Sequence, residues 1–443
     1  MNSSIFAIFR HKQFKSSSVV FGGIFAGFVI NYIINIILAR YFGPDHFGIY
    51  KIGTIFVTTF ATICVLGMDS GLTRYISLKK SSNEFFYIKE LIKIAIKYTI
   101  VSSAAITSVI LIFNKNLSNL LIKDGHYNVI IEILAISIPF ITFKTIIVGI
   151  LRGNKNYIKL EIFHDIIPFI LLLISSILVI VLNLNLRMMI YFYLISFMIL
   201  FFIGIYILKN LDISKLITLQ DNNSVNHRLI KREIFSYSLP LLLTNILSIS
   251  RKKFDILLVG ILLSSRDAGI YSVAVPFSMG LKFIMLAVNR VYLPESASKF
   301  SKDRLKINSI YQRTTKFLIL ISMPIFIIIF IFAKELIIIF FGLDYASAAT
   351  PLRILLTGNL INVISGPFGE TLQAIGKTRI IFITNLISAT SNIFLLIYLI
   401  PKFGINGAAF ANFVSLTVMV IISVLYLVKS QNIYPWAVLS RKK

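Results

Sequence analysis

Apolar runs recur along almost the whole chain, separated by short polar stretches. An α-helix needs about 20 such residues to span a bilayer, and in lipid the backbone must satisfy its own hydrogen bonds. The pattern predicts twelve membrane-spanning helices, at 17–39, 47–68, 91–113, 128–150, 162–183, 188–208, 236–263, 268–293, 314–333, 346–372, 379–400 and 406–428. A shorter stretch after the ninth run, KELIIIFFGLDY (334–345), reads as an interfacial segment. The expected fold class is all-α, a polytopic membrane protein.

The polar connections set the orientation. Of 44 Lys and Arg residues, 29 fall on one side of the twelve runs, nine on the other and six inside them. Cytoplasmic loops concentrate Lys and Arg, so the alternation places both termini in the cytoplasm. Most of the formal net charge of +26 is then a topology signal, and it makes a cytoplasmic surface that favours anionic lipid. No nucleic-acid partner is implied.

The two halves of the sequence echo each other. FGIYKIG (47–53) opens the second run and AGIYSVA (268–274) the eighth; LRGNKNYI (151–158) and LQAIGKTR (372–379) end the fourth and tenth at nearly the same offset. Duplication predicts two six-helix bundles in one orientation, 1–208 and 236–443, joined by a polar cytoplasmic linker at 209–235. Parallel repeats of this kind are related by an axis along the membrane normal, with the substrate path usually between them.

Charges inside the runs are the candidate chemistry. In LTNILSISRKKFDILLVGIL (243–262), Arg251, Lys252, Lys253 and Asp255 lie mid-span. A central Arg, Lys or Asp costs about 2.5–3.5 kcal/mol on translocon scales, so these groups must face water, each other or a partner. Thr244, Ser248, Arg251 and Asp255 form one helical stripe, and Arg251 and Asp255, four apart, can pair. Lys252 and Lys253 remain in excess, which makes the site net positive; a structural ion pair with snorkelling lysines is the alternative. Lys282, Lys144 and Arg290 are further candidates to line a cationic cavity, snorkelling being the alternative for Lys144 and Arg290. Arg40 and Lys51 border the outer surface and read as interface anchors. Asp165, Glu370 and Asp255 are candidates for ion coupling or for structural ion pairs. GGIFAG (22–27) has small-xxx-small spacing and reads as helix packing. Pro168, Pro240 and Pro367 can bend or break their helices.

Composition removes other classes. The chain is 57% hydrophobic and 14% charged, with a mean hydropathy of +0.86, which leaves no room for a sizeable soluble domain. Cys64 is the only cysteine and excludes an internal disulfide. The five histidines lack metal-ligand spacing. There is no Walker-type phosphate loop, so neither a metal nor a nucleotide cofactor is expected. The first run is too long for a signal-peptide core and reads as a retained helix.

Several stretches together resemble the polysaccharide-unit flippases of O-antigen type, within the multidrug/oligosaccharidyl-lipid/polysaccharide exporter superfamily. They are ILARYFGPDHFGIYKIGTIF (37–56), GMDSGLTRYIS (67–77), YSLPLLLTNILS (237–248), DILLVGILLSSRDAGIYSVA (255–274), FFGLDYASAATPLRILLTGNLINVISGP (340–367) and FGINGAAFAN (403–412). Asp255 falls where these proteins commonly carry an Asp before an apolar run ending in Gly, whereas the preceding RKK is unusual for them. The resemblance implies two six-helix bundles around a central cationic cavity, in the bacterial cytoplasmic (inner) membrane. The implied cargo is an oligosaccharide on undecaprenyl pyrophosphate, moved to the outer leaflet by alternating access with coupling to a proton or Na⁺ gradient or to the membrane potential. Membrane lipids, a glycan polymerase and glycosyltransferases are the implied partners.

On this reading the chain is not an enzyme. Arg251, Lys252, Lys253 and Lys282, with Lys144 and Arg290 beside them, would hold the anionic headgroup, and Asp255 would orient or neutralise Arg251. Three rivals stay open. A multidrug exporter of the same superfamily would favour unpaired carboxylates over cations. A flippase of the peptidoglycan lipid precursor usually has two further helices. A membrane-embedded glycan polymerase or acyltransferase commonly needs a large outer loop or a catalytic His/Asp pair.

Overall fold

The computed structural model describes residues 12–123, 127–210, 227–300 and 304–435, with the side chains of 12–21, 251–252, 290–291, 294–295, 297–300 and 304–306 left outside the description. Among the described residues the chain is helical and contains no strand. The first half carries α1 (Lys12–Cys64), α2 (Met68–Ser81), α3 (Phe85–Ile112), α4 (Asn114–Ile122), α5 (Asn128–Ile136) and α6 (Ile138–Gly153). It continues with α7 (Tyr157–Glu161), a π-helical turn (Ile162–Ile166), α8 (Ile167–Val181) and α9 (Leu186–Asn210). The second half carries α10 (His227–Leu262), α11 (Ser265–Ser278), α12 (Gly280–Phe300), α13 (Arg304–Ile331) and α14 (Ala333–Phe341). A 3₁₀ turn (Leu343–Ala348), α15 (Ala349–Ile364), α16 (Phe368–Ala374) and α17 (Thr378–Gln431) complete it.

Eight helices among the described residues are long and apolar enough to cross a membrane. Two of them are double. Gly43, at φ 68° and followed by Pro44, breaks α1 between the first and second expected spans. Gly404, at φ 57°, breaks α17 between the eleventh and twelfth. A positive φ is open to glycine at no steric cost, so each pair of spans needs only a single-residue hinge. The charge-bearing α10 and the interrupted α15–α16 complete the twelve crossings expected. The interfacial stretch at 334–345 is α14 with the start of the 3₁₀ turn.

Chain contacts divide the molecule into two compact units. The first comprises Met1–Tyr41 and Gly53–Ile246, the second Phe42–Ile52 and Leu247–Lys443. Of the linker expected at 209–235, residues 211–226 lie outside the described residues. The part of α10 before Leu247 belongs with the first unit.

Helix breaks inside the membrane expose carbonyls that have no water to bond, and in three places a side chain from another helix supplies the missing donor. Pro168 has no N–H to give to the carbonyl of His164, four residues earlier, and Lys144 on α6 donates its ammonium there at 2.9 Å. The break between α11 and α12 leaves the Ser278 carbonyl, which accepts from Asn359 Nδ2 on α15 at 2.7 Å. The break at Ser365–Pro367 leaves the Ser365 carbonyl, which accepts from the Tyr311 hydroxyl on α13 at 2.5 Å. Tyr311 and Tyr292 are buried within the apolar cluster of the second unit, with Leu372 and Leu427. On the outside, Val101, Phe202, Tyr206, Leu320 and Phe394 are exposed, a surface that suits acyl chains.

Within the second unit the two GIY copies cross. A Cβ on Gly48 would overlap the Ser265 carbonyl oxygen and the Gly269 amide, and a Cβ on Gly269 would overlap the Pro44 carbonyl oxygen and the Gly48 amide. The contact is reciprocal at the repeat offset: Asp45 and Arg266, 221 residues apart, form an ion pair at 3.2 Å beside it. In the first unit, GGIFAG packs as its spacing predicts. Gly23 lies against Glu161 and Gly27 against Asp165 and Phe169.

Candidate functional site

Two polar clusters lie at membrane depth, one in each unit. In the second, Asp255 on α10 is only 2% exposed. Its Oδ2 accepts from the Tyr271 hydroxyl at 3.0 Å and from Asn412 Nδ2 at 2.9 Å. Its Oδ1 accepts from the Ile256 amide at 2.8 Å. A buried carboxylate is costly unless paired or hydrogen-bonded, and here two neutral donors from α11 and α17 do that work. Three stretches singled out in the sequence converge on this point: the Asp before the Gly-ending run, the tyrosine of AGIY, and the final asparagine of FGINGAAFAN.

Lys282 on α12 is close enough to Asp255 for their charges to interact. Lys253 on α10 and Lys51 on α1 feel each other's charge, and the Lys51 ammonium lies 5.2 Å from the Phe47 ring centroid. Lys282 thus faces Asp255, and Lys51 and Lys253 form a second pair, of two cations, in the same unit. Lys51, expected as an interface anchor, also interacts electrostatically with Lys253, and the stretch Phe42–Ile52 that follows the Gly43 hinge belongs to this unit.

Among the described side chains Asp255 is held by Tyr271 and Asn412, together with the Ile256 amide; the expected pairing with Arg251 falls outside them. The side chains of Arg251, Lys252 and Arg290 lie outside the described residues. Ser278, Lys282 and Asn289 do not share one continuous helix, since the chain breaks between Ser278 and Gly280. Glu370, in the first turn of α16, accepts instead from the Asn289 side chain.

The first unit's cluster is built on the π-helical turn, a local widening that often marks functional positions. His164 Nδ1 lies 2.8 Å from Asp165 Oδ1, and Asp165 also shares a hydrogen bond with Glu161. Lys144 reaches both the His164 carbonyl and the field of Asp165. Its role here is at least partly to replace the donor that Pro168 lacks. Lys144→Met should lower stability by about 0.6–2 kcal/mol, the range for hydrogen bonds between membrane helices. Adding Pro168→Ala, which restores a backbone donor, should recover part of that loss in thermal unfolding of the detergent-solubilised protein.

Sequence reasoning missed Glu161, Lys51, Tyr271 and Asn412. Glu161 stands four residues before Asp165, a helical spacing that was available. Tyr271 and Asn412 lie 16 and 157 residues from their partner, and no local pattern marks them. Among the described residues no group of three or more His, Cys, Asp or Glu side chains could hold a metal ion.

A twelve-crossing helical protein with polar clusters at its helix breaks is of the membrane-transporter class, and solved structures share this fold. An inward-facing multidrug resistance transporter of the multidrug/oligosaccharidyl-lipid/polysaccharide exporter superfamily superposes with a TM-score of 0.73 at 15% identity, over 90% of this chain and 93% of that one. The lipid II flippase MurJ does so at 0.66 and 18%, over 92% and 87%. The chain belongs to the polysaccharide biosynthesis protein family, whose model matches residues 37–350. A Shigella flexneri protein named as an O-antigen transporter is 23% identical over 402 residues, 88% of this chain and 90% of its own length. A Haloferax volcanii protein named as a low-salt glycan biosynthesis flippase is 27% identical over 197 residues, 44% of this chain and 42% of its own.

Proposed function

We propose that this protein carries undecaprenyl-pyrophosphate-linked oligosaccharide units from the inner to the outer leaflet of a bacterial cytoplasmic membrane by alternating access, for surface polysaccharide assembly. The observation that carries this reading is the buried Asp255 facing Lys282, with Lys253 on the same helix as Asp255 and paired electrostatically with Lys51. A pyrophosphate entering hydrocarbon loses its hydration, and ammonium groups at fixed positions replace it with charge-assisted hydrogen bonds. Lys253 and Lys282, with Lys51, would take the phosphates, and Arg251, Lys252 and Arg290 lie on the same or neighbouring helices. Asp255 would keep the lysine set from repelling itself apart when no cargo is present. Glycosyltransferases would build the unit before this step and a polymerase would consume it afterwards. Family membership and relatives named for O-antigen and glycan transport support the cargo class.

Ion coupling belongs to the same proposal. Asp165 and Glu161 are neighbouring carboxyl groups next to a close helix contact, which makes them the first candidates; Glu370 and Asp255 follow. A multidrug exporter remains the second reading on fold alone, and cationic drugs would be repelled by the lysine set.

Lys253→Ala with Lys282→Ala tests the headgroup assignment. At matched membrane protein levels, surface glycan in a flippase-null host should fall to background. Restoration to wild-type levels by the double variant would remove the basis of the proposal. A drug-resistance phenotype in its place would favour the multidrug reading.

A further inference from the structure

A hollow of the first unit lies apart from both clusters, on the side that the charge distribution assigns to the cytoplasm. It has a volume of about 460 Å³ and is lined by Thr73, Arg74, Ser77, Arg152, Lys155 and Tyr157, with Leu78 at its edge. No carboxylate lines it. Arg74, Arg152 and Lys155 are all exposed, so water and ligand can reach them.

The shape is fixed by bonds around the hollow. The Thr73 hydroxyl donates to the Asp69 carbonyl at 2.8 Å and the Gly149 carbonyl at 3.2 Å, which staples α2 to α6. Lys80 Nζ donates to Asn154 Oδ1 at 3.1 Å and ties the end of α2 to the α6–α7 turn. The Arg74 guanidinium stacks 4.4 Å from the Tyr237 ring centroid and 5.7 Å from that of Tyr75. Cation–π contact of this kind holds a guanidinium in place while leaving its N–H edge open. Lys155 sits in the turn itself, at φ 59°. The neighbouring acids are engaged elsewhere: Glu233 accepts from Tyr87 and Glu84 pairs with Lys79 at 2.7 Å.

Three like charges held around one hollow repel each other, and a multiply charged anion relieves that repulsion. Arginine forks match phosphate oxygens, and the hydroxyls of Ser77 and Tyr157 can donate as well. The volume falls within the range of about 300–1,000 Å³ for ligand sites and exceeds what a bare phosphate fills. Leu78 at the rim and Ile158 just beyond Tyr157 are 52% and 61% exposed, so the cationic floor has an apolar border. A charged floor with an apolar border suits a headgroup whose tail stays in the membrane.

We infer that this hollow is a second binding site, for the phosphate-bearing headgroup of a lipid in the cytoplasmic leaflet. Whether that lipid is the cargo awaiting transport rests on the function proposed above; the phosphate site does not. The two sources, an anionic phospholipid and a polyprenyl pyrophosphate, share the chemistry and are separated by experiment.

The test uses the full-length protein in phosphatidylcholine nanodiscs doped with either phosphatidylglycerol or undecaprenyl pyrophosphate, with bound lipid read by native mass spectrometry. The variant is Arg74→Gln, Arg152→Gln, Lys155→Gln, three exposed positions; because Arg74 also stacks on Tyr237, thermal unfolding of each variant confirms that it is folded. Loss of three charge-assisted contacts should weaken lipid retention about a hundredfold or more, and single variants should weaken it in part. Loss confined to undecaprenyl pyrophosphate supports the site with the cargo as its source; loss confined to phosphatidylglycerol supports it with a phospholipid source. Unchanged retention of both lipids overturns the inference, as does full displacement by inorganic pyrophosphate at equal concentration. Either failure leaves the flippase reading standing, because that depends on Lys253 and Lys282.

Discussion

Gly48→Ala should destabilise the protein by about 1–3 kcal/mol, the range for overpacking a tight contact, and abolish most glycan display. The added methyl group meets the Ser265 carbonyl oxygen and the Gly269 amide. These are backbone atoms, which cannot rotate aside as a side chain would, so the two helix starts must separate. Gly269→Ala should have a similar effect through Pro44 and Gly48. Because both substitutions are relieved by the same separation, the double variant should cost less than the sum of the singles, the mark of coupled sites. Gly369→Ala is the control. Nothing lies within 4 Å of a Cβ there, and removing a glycine from a helix stabilises by up to about 1 kcal/mol. Thermal unfolding in detergent checks all four proteins. Equal behaviour of Gly48→Ala and Gly369→Ala would mean that the GIY copies do not approach each other in the membrane.

Asp255→Leu is expected to be the more damaging of two changes at that position. It strands the Tyr271 hydroxyl and the Asn412 amide without an acceptor in a region from which water is excluded. Each stranded donor costs about 1–3 kcal/mol, although exchanges between membrane helices can soften this to about 0.6 kcal/mol on average. Adding Tyr271→Phe should recover part of the loss by removing one stranded group. Asp255→Asn keeps an acceptor and the shape, so it should fold close to the wild type. It should nevertheless fail in transport, because it removes the negative charge that faces Lys282. The measurement is therefore a split: stability against surface glycan at matched expression. Wild-type glycan levels from Asp255→Asn would reduce Asp255 to a structural anchor.

The helix breaks show how legibility runs out. Pro168 and Pro367 announce in the sequence that a carbonyl will be orphaned, because a proline always lacks its N–H. Which group fills the gap is not announced. Lys144 fills one, as a side chain that the sequence presented equally well as a cavity cation or a snorkelling lysine. Tyr311 fills another from 54 residues away. Lys51 shows the converse. Its position near a span boundary suggests an anchor and says nothing of Lys253, with which it interacts across 202 residues of chain.

The amino-acid sequence alone determined that this is a twelve-span helical membrane protein, and it carries the GIY repeat and the cationic bias on one side of its spans. Those properties are sums over local stretches: the apolar length of a run, the charge of a loop, the spacing of a repeat. Only the tertiary structure decided that Asp255 bonds Tyr271 and Asn412, that Glu161 joins Asp165, and that Arg74, Arg152 and Lys155 enclose one hollow. Which side chains meet depends on the rotation of each helix about its own axis and on where its neighbours break. A glycine hinge or a π-helical turn resets that rotation, and its effect is read out by residues far away along the chain.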